Sequence, residues 1–336
     1  MKKLLRPRVI IPVVVSVALI AGLFSFANAP RVVGLILQLD PLYLAIFFGL
    51  MVAYQVVRCL QWLYLLHHLE VRVPLRSQIF SYLGGALAKY LPVGSYFQNY
   101  LLYETREVDP AVTSAATTLI VLTEPAASMI MVFIIGIDGW GWLRWLIGIG
   151  LPLGVAFGVG LYKWLDRHGV PHWIKRRPRL KRVGDGLERF LEGVGRVAHA
   201  RLLVVQGLLA GCYVAIGGVG LYVVELMLRQ HGISVFSAMA AYGFSLTAAL
   251  VVPVFTDIGT LEVSGVAALL SEGASKHAAV AMMVFDRVLI IAASFVFFAA
   301  AAIAWRDLLA RALQGRGGGG KNRQDRRASV RRAADD

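Results

Sequence analysis

Apolar runs long enough to cross a bilayer recur along nearly the whole chain, and they constrain the fold more than any other feature. They occupy 9–27, 41–66, 111–137, 142–165, 202–228 and 278–305. A spanning helix needs about 20 such residues. In lipid each backbone N–H and C=O must be satisfied inside its own segment, so every run is expected to be helical. Of the 336 residues 58% are hydrophobic and 16% charged, against roughly 25% charged in soluble domains. A soluble fold is excluded, and the class is all-α integral membrane protein.

The formal net charge of +14 raises nucleic-acid binding, but the placement of the charges argues against it. The basic residues lie mostly in tails and loops between apolar runs, as in a positive-inside membrane protein. With the N-terminus in the cytoplasm, the inside receives the tail lysines and arginines, Arg72, Arg76, Arg106, the loop 163–201 and everything from Arg306 onward. The outside receives only Arg31, Arg144, Arg229 and Lys276. The expected location is the cytoplasmic (inner) membrane, with both termini inside.

The run 9–27 ends in Ala27-Asn28-Ala29, which mimics a signal-peptide cleavage site. Pro30 would follow the cut directly, so a retained helix is the expectation. Cys59 and Cys212 sit in different apolar runs with no ligand spacing around them, so neither a disulfide nor a metal site is expected. His67 and His68, beside Glu70, read as interfacial residues.

Two further apolar stretches, 77–103 and 236–271, are broken by Pro and Gly. Pro92 and Gly94 break the first, Pro253 and Gly259 the second. Each is expected to be a re-entrant helical hairpin, because broken backbone at membrane depth is tolerated only beside protein or a watery cavity. About six full spans plus two hairpins then form two triplets of opposite orientation, about 41–137 and 202–305. Pro92 and Pro253 have the same separation, within one residue, as Glu124 and Asp286. This agrees with an inverted repeat, a transporter signature that places a binding site near the midplane. Residues 1–306 form the membrane domain. Between the triplets, Leu180, Val183, Leu187, Phe190, Leu191, Val194 and Val197 recur at helical spacing, predicting a basic amphipathic helix on the inner leaflet or in cytosol. Residues 307–336 read as a basic disordered tail.

A charge at the centre of a spanning helix costs about 2.5–3.5 kcal/mol on insertion scales, so such residues face protein or a cavity. Glu124 is mid-span and precedes Pro125. Asp286 and Arg287 lie a third of the way into the last span, and Arg287 is a candidate partner for Glu124, Glu262 or a phosphate. Arg58 has a stem long enough to snorkel toward headgroups. Lys89, just before the Pro92 break, reads as an anchor or a headgroup ligand. Asp257, Gly259 and Glu262 follow Pro253, and the half-helix starting near Thr260 would favour an anion at its N-terminus or use Glu262 as its own first-turn acid. Gln98 and Asn99 supply a polar face in the first hairpin.

Arg58, the run G-A-L-A-K-Y-L-P-V-G at 85–94, and P-V-F-T-D-I-G-T-L-E at 253–262 with the trailing Arg287 together resemble the flippase-like family related to the transmembrane region of lysylphosphatidylglycerol synthases. The resemblance covers about residues 40–305. It departs where a single Gly259 replaces a Gly-rich run, and where Gln98 and Asn99 stand in place of an arginine. The soluble aminoacyl-transferase domain of full synthases is not seen, so the resemblance implies lipid translocation rather than an enzyme. On this expectation Arg58, Lys89, Asn99 and Arg287 bind an anionic headgroup. Glu124, Asp257, Glu262 and Asp286 pair with them or handle a coupling proton. The substrate is an anionic phospholipid or polyprenyl-phosphate-linked lipid, with no cofactor, metal or nucleic acid. Two other readings stand beside it: a membrane enzyme acting on lipid-linked substrates through Asp257 and Glu262, and a scaffold for a lipid-modifying partner enzyme.

Overall fold

The computed structural model describes residues 40–89, 94–168, 178–230, 232–251 and 259–314, with isolated positions between 22 and 34. The helices are α1 (Pro41–His68), α2 (Leu75–Ala88), α3 (Phe97–Arg106), α4 (Pro110–Ile135), α5 (Gly141–His168), α6 (Pro178–Val197), α7 (Ala200–Met227), α8 (Val235–Val251), α9 (Thr260–Ser271), α10 (Lys276–Ala304) and α11 (Arg306–Gln314). A 3-10 turn at Gly94–Tyr96 precedes α3, and there is no strand among the described residues. The protein is all-helical. Five helices are long and apolar enough to cross a membrane: α1, α4, α7, α10, and α5 over Gly141–Leu165. They coincide with five of the six runs. The run 9–27 lies almost wholly outside the described residues.

Asp-Pro pairs start two of these helices. Asp40 and Asp109 accept hydrogen bonds from the backbone N–H of Leu42 and Ala111, and Pro41 and Pro110 occupy the first helical position. That position needs no donor, and the proline ring already holds a helical φ. Ser275 caps α10 through the N–H of Ala278 in the same way.

Neither broken stretch is a single span. Helices α2, α3, α8 and α9 contain 14, 10, 17 and 12 residues. At about 1.5 Å per residue all four fall short of a hydrocarbon core of about 30 Å. They double back instead. Gly84 meets Leu101, Gly85 lies against Gln98, and Arg106 Nε donates to Ser77 Oγ at 2.8 Å, so α2 and α3 run antiparallel. Gly94 sets the turn, because a Cβ there would collide with the Ala88 carbonyl oxygen. The segments entering α8 and leaving α9 also meet, at Gly232 and Gly273–Ala274. Pro92, Pro253 and Asp257 lie outside the described residues.

The spine of the molecule is the pair α1 and α7. Asp40 N–H donates to the Met227 carbonyl, Phe47 packs on Gly220, Tyr54 meets Tyr213 edge-on at 5.4 Å, and Gln61 meets Gln206. These contacts fall every seventh residue and run in opposite directions along the two helices. That is the geometry of an antiparallel coiled-coil pair. Gln61 and Gln206 are both fully buried, and each amide donates to the other's backbone carbonyl, at 3.2 and 3.3 Å. Buried amides in a membrane interior need such partners.

The remaining packing is unchanged when the first triplet (α1, α2–α3, α4) is exchanged for the second (α7, α8–α9, α10). Thus α4 packs on α8 as α10 packs on α2, α7 on α4 as α1 on α10, and α3 on α4 as α9 on α10. The fit is much closer in one half. A Cβ at Gly218 would lie 2.6 Å from Met239 Cα, Gly217 meets the Tyr242 ring, and Gly243 faces the Ser128 carbonyl.

Helix α6 covers the predicted amphipathic stretch and packs on α4, where Gly193 lies against Ala115 and Arg189 pairs with Asp109 at 2.9 Å. Residues 307–314 correct the expectation of a tail disordered from 307. They belong to α11, which buries Leu308 and packs on α3. Its Leu308, Leu309 and Ala312 form an apolar stripe that joins Phe80, Leu101 and Phe298. Residues 315–336 lie outside the described residues.

The substitution Gly218→Ala is expected to push α8 off α7 and to lower stability by about 1–3 kcal/mol, the usual cost of overpacking. Gly207→Ala on the same helix meets nothing within 4 Å and serves as the control. Unfolding of the two variants in detergent checks the difference.

Candidate functional site

Near the middle of the spans the two triplets enclose a polar cavity of about 210 Å³. Arg58 of α1, Tyr82 and Gly85 of α2, Lys89 at the end of α2, Gln98 of α3, Thr117 and Glu124 of α4, Leu261 of α9 and Arg287 of α10 contribute to its lining. The chain thus brings three cationic side chains to one small space inside a membrane-type bundle.

Each triplet supplies one ion pair. In the first, Arg58 Nη2 donates to Glu124 Oε2 at 3.1 Å, and both side chains are largely buried, at 13% and 14% exposure. Arg58 Nη1 also donates to Tyr54 Oη at 3.0 Å, and the guanidinium carbon lies 4.9 Å from the centre of the Tyr213 ring. The two tyrosines are the central rung of the α1–α7 spine, so the spine itself positions Arg58. A guanidinium over an aromatic face gains from the ring quadrupole, more so when desolvated. This corrects the snorkelling expectation. Arg58 points inward because a paired cation inside the bundle costs less than one in hydrocarbon.

In the second triplet Arg287 Nε lies 3.2 Å from Glu262 Oε1. Of the two acids left open by the sequence, Glu262 is the one it meets. The other oxygen of Glu262 accepts from the Gly259 backbone N–H. Gly259 has φ of +97°, a conformation open to glycine and strained for other residues. Glu262 therefore does two things: it caps the start of α9 and it holds Arg287. The N-terminus expected to attract an external anion already carries an internal carboxylate.

Pro125 lacks the N–H that would bond the Val121 carbonyl, and both residues line the cavity. Ser128 Oγ donates to the Glu124 carbonyl at 2.9 Å. Gln98 Nε2 donates to Thr117 Oγ1 at 2.9 Å, which in turn donates to Asn99 Oδ1 at 3.0 Å. Asn99 Nδ2 donates to Ser114 Oγ at 3.2 Å. Asn99 thus fastens the hairpin to α4 and does not line the cavity, whereas its neighbour Gln98 does. Asp286 is 2% exposed, outside the cavity lining, and its Oδ1 has no hydrogen-bond partner among the described residues. No cluster of metal-ligating side chains occurs among the described residues.

Among the described residues, Arg58, Lys89 and Arg287 line this small volume together with Glu124, and Glu262 stands behind Arg287. Both carboxylates are already engaged with arginines. The arrangement suits a guest that carries a negative charge and can compete with Glu124 or Glu262 for a guanidinium. Arginine favours planar, bidentate oxyanion partners such as phosphate.

A family model described as "Lysylphosphatidylglycerol synthase TM region" matches residues 9–297. The chain belongs to that family. A search of curated proteins finds no match. The family match covers the first triplet, α6 and the second triplet as far as residue 297 in α10, and it contains every residue of the two ion pairs as well as Lys89 and Gln98. It identifies the chain as a multi-pass membrane protein.

Sequence reasoning missed Tyr54, Tyr82 and Tyr213, which surround Arg58, and the Gln61–Gln206 rung. The signal was present. Tyr54 and Gln61 are seven residues apart on one helix face, and a glutamine inside an apolar span is as conspicuous as a charge.

Removing one member of the first pair leaves the other buried without compensation, which typically costs about 3–5 kcal/mol. Glu124→Ala is therefore expected to destabilise the protein strongly, while the double variant Arg58→Met with Glu124→Leu recovers much of the loss. A double-mutant cycle by denaturant unfolding in mixed micelles measures the coupling, and simple additivity would show that the pair is not energetically joined.

Proposed function

We propose that the protein carries an anionic phospholipid or a polyprenyl-phosphate-linked lipid between the leaflets of a cytoplasmic membrane. The observation that carries this reading is the mid-bundle cavity lined by Arg58, Lys89 and Arg287, built jointly by two triplets whose packing is exchangeable and whose first helices are antiparallel. Inverted repeats with interrupted helices, meeting around a midplane site, are a recurring transporter design. The short paired helices α2–α3 and α8–α9 are read as re-entrant hairpins from opposite leaflets. A phosphate would draw on Arg58, Lys89 and Arg287, and Glu124 and Glu262 hold the arginines when the site is empty. The family's name, which refers to a synthase of an aminoacylated phospholipid, agrees with a lipid substrate.

The charge distribution supports one orientation. The ends of α1, α3 and α10 and the starts of α2 and α7 carry Arg72, Arg76, Arg106, Arg201, Arg306 and Arg311, together with α6. The opposite end has Arg144, Arg229 and Lys276. The basic end is placed in the cytoplasm.

The test is reconstitution in vesicles that contain fluorescent phosphatidylglycerol, with dithionite or a back-extraction readout. Translocation above protein-free vesicles is expected. Losing a charge-assisted hydrogen bond costs about 1.5–3 kcal/mol, so Arg287→Gln and Arg58→Gln should each slow transport roughly 10- to 100-fold. A rate equal to empty vesicles across a panel of anionic and polyprenyl-phosphate lipids overturns the proposal.

A further inference from the structure

The exchange of the two triplets is broken at one place. The seam between α7, α8 and α4 is closed, with Gly218 and Gly243 bringing backbones into contact and Gly217 against the Tyr242 ring. Its counterpart, the seam between α1, α2 and α10, holds a groove of about 550 Å³. Val56, Cys59 and Leu60 of α1, Leu83 of α2, Ala300 of α10 and Trp305 at its end lie along it. These positions belong to the second half of α1, the first half of α2 and the last turns of α10, so the groove runs from mid-depth to the basic end of the bundle. Val56 and Leu60 are about half exposed, which leaves it open to the surrounding lipid.

The groove and the polar cavity lie on two sides of one thin wall. On α1, Arg58 faces the cavity while Gln55 and Cys59 line the groove. On α2, Tyr82, Gly85 and Ala86 face the cavity while Ile79 and Leu83 line the groove. Two side-chain hydrogen bonds tie this wall together. Tyr82 Oη donates to Gln55 Oε1 at 2.6 Å, and Gln55 Nε2 donates to Ser294 Oγ on α10 at 3.3 Å. Gln55 is thus the polar member of an otherwise apolar groove and is turned toward the cavity wall. A charged cavity joined laterally to a hydrocarbon-lined groove matches an amphiphile: the charge needs the cavity, and the chain loses nothing by staying in the groove.

We propose that the α1–α2–α10 groove seats one hydrocarbon chain of the transported lipid, and that Tyr82, Gln55 and Ser294 form the lateral gate through which its headgroup passes. This rests on the cavity being the headgroup site. The groove opens at the basic end, so the structure is the form that exchanges lipid with the leaflet on that side, and the closed α4–α7–α8 seam is its counterpart toward the other leaflet. The gate is held by two hydrogen bonds between rotatable side chains.

The probe is phosphatidylglycerol carrying a photoreactive diazirine on one acyl chain, in vesicles with the full chain reconstituted, and adducts are mapped by mass spectrometry. Leu153 and Phe157 of α5 are at least as exposed as Val56 and Leu60 and report ordinary surrounding lipid. Adducts on Val56, Leu60 and Leu83 are expected to exceed those on α5 by about fivefold or more. Ala300 is exposed, so Ala300→Trp fills the groove without disturbing the core. It should bring that labelling down to the α5 level and slow translocation about tenfold, with glycerol 1-phosphate binding by the solubilised protein unchanged. Even labelling of α5 and groove overturns the proposal, as does groove labelling that Ala300→Trp leaves intact. If glycerol 1-phosphate does not bind the unaltered protein while groove labelling stays concentrated and sensitive to Ala300→Trp, the headgroup reading fails and the groove stands as a chain site.

Discussion

A charge inside a bilayer must find a partner, and in this protein that requirement organises the centre of the fold. Arg58 and Arg287 sit well inside long apolar helices, where an isolated guanidinium would be costly. Each is answered by a carboxylate of its own triplet, Glu124 for Arg58 and Glu262 for Arg287. The same contacts order the backbone around them. Glu262 caps α9, and Arg58 is clasped by the tyrosines of the α1–α7 spine. On the proposed function, a guest anion would bind by competing with interactions that hold the site together.

The spine explains why two triplets can share one cavity. Because α1 and α7 are antiparallel, with matching rungs every seventh residue, the elements that follow each of them are laid down in opposite senses around a common axis. Near-equivalent packing on the two sides follows. The departures from equivalence carry information of their own. Glycines at 217, 218 and 243 close one seam. At the equivalent place on the other side, Val56, Leu60 and Ala300 leave a hydrocarbon-lined groove next to the cavity.

Much of this was legible in the chain. Five apolar runs became five long helices with ends shifted by no more than about three residues, because hydrophobic length and Asp-Pro or Ser caps are local properties. The breaks near Gly94 and Gly259 were visible for the same reason. Arg58, Lys89, Glu124, Glu262 and Arg287 stood out by cost alone. Their pairing was not legible. Arg58 has a stem long enough to snorkel, and nothing along α1 reveals that Glu124, on another helix, faces it. Asn99 and Gln98 are adjacent and chemically alike, yet rotation about the helix turns one into the α4 contact and the other into the cavity. The helix at 306–314 was hidden because its apolar stripe is short and lies beside a Gly-rich, basic sequence.

The sequence by itself determined that this is a multi-helix membrane protein, where its long helices run and which residues are too expensive to face lipid. Those conclusions depend on hydrophobicity and charge summed over neighbours in the chain, so they need no coordinates. Only the tertiary structure decided which acid meets which arginine, that Glu262 guards the start of α9, and that one seam is sealed while its counterpart is open. Those outcomes depend on distances of a few ångströms between residues far apart in the chain. Antiparallel packing of α1 on α7 sets them, and a linear pattern does not encode it.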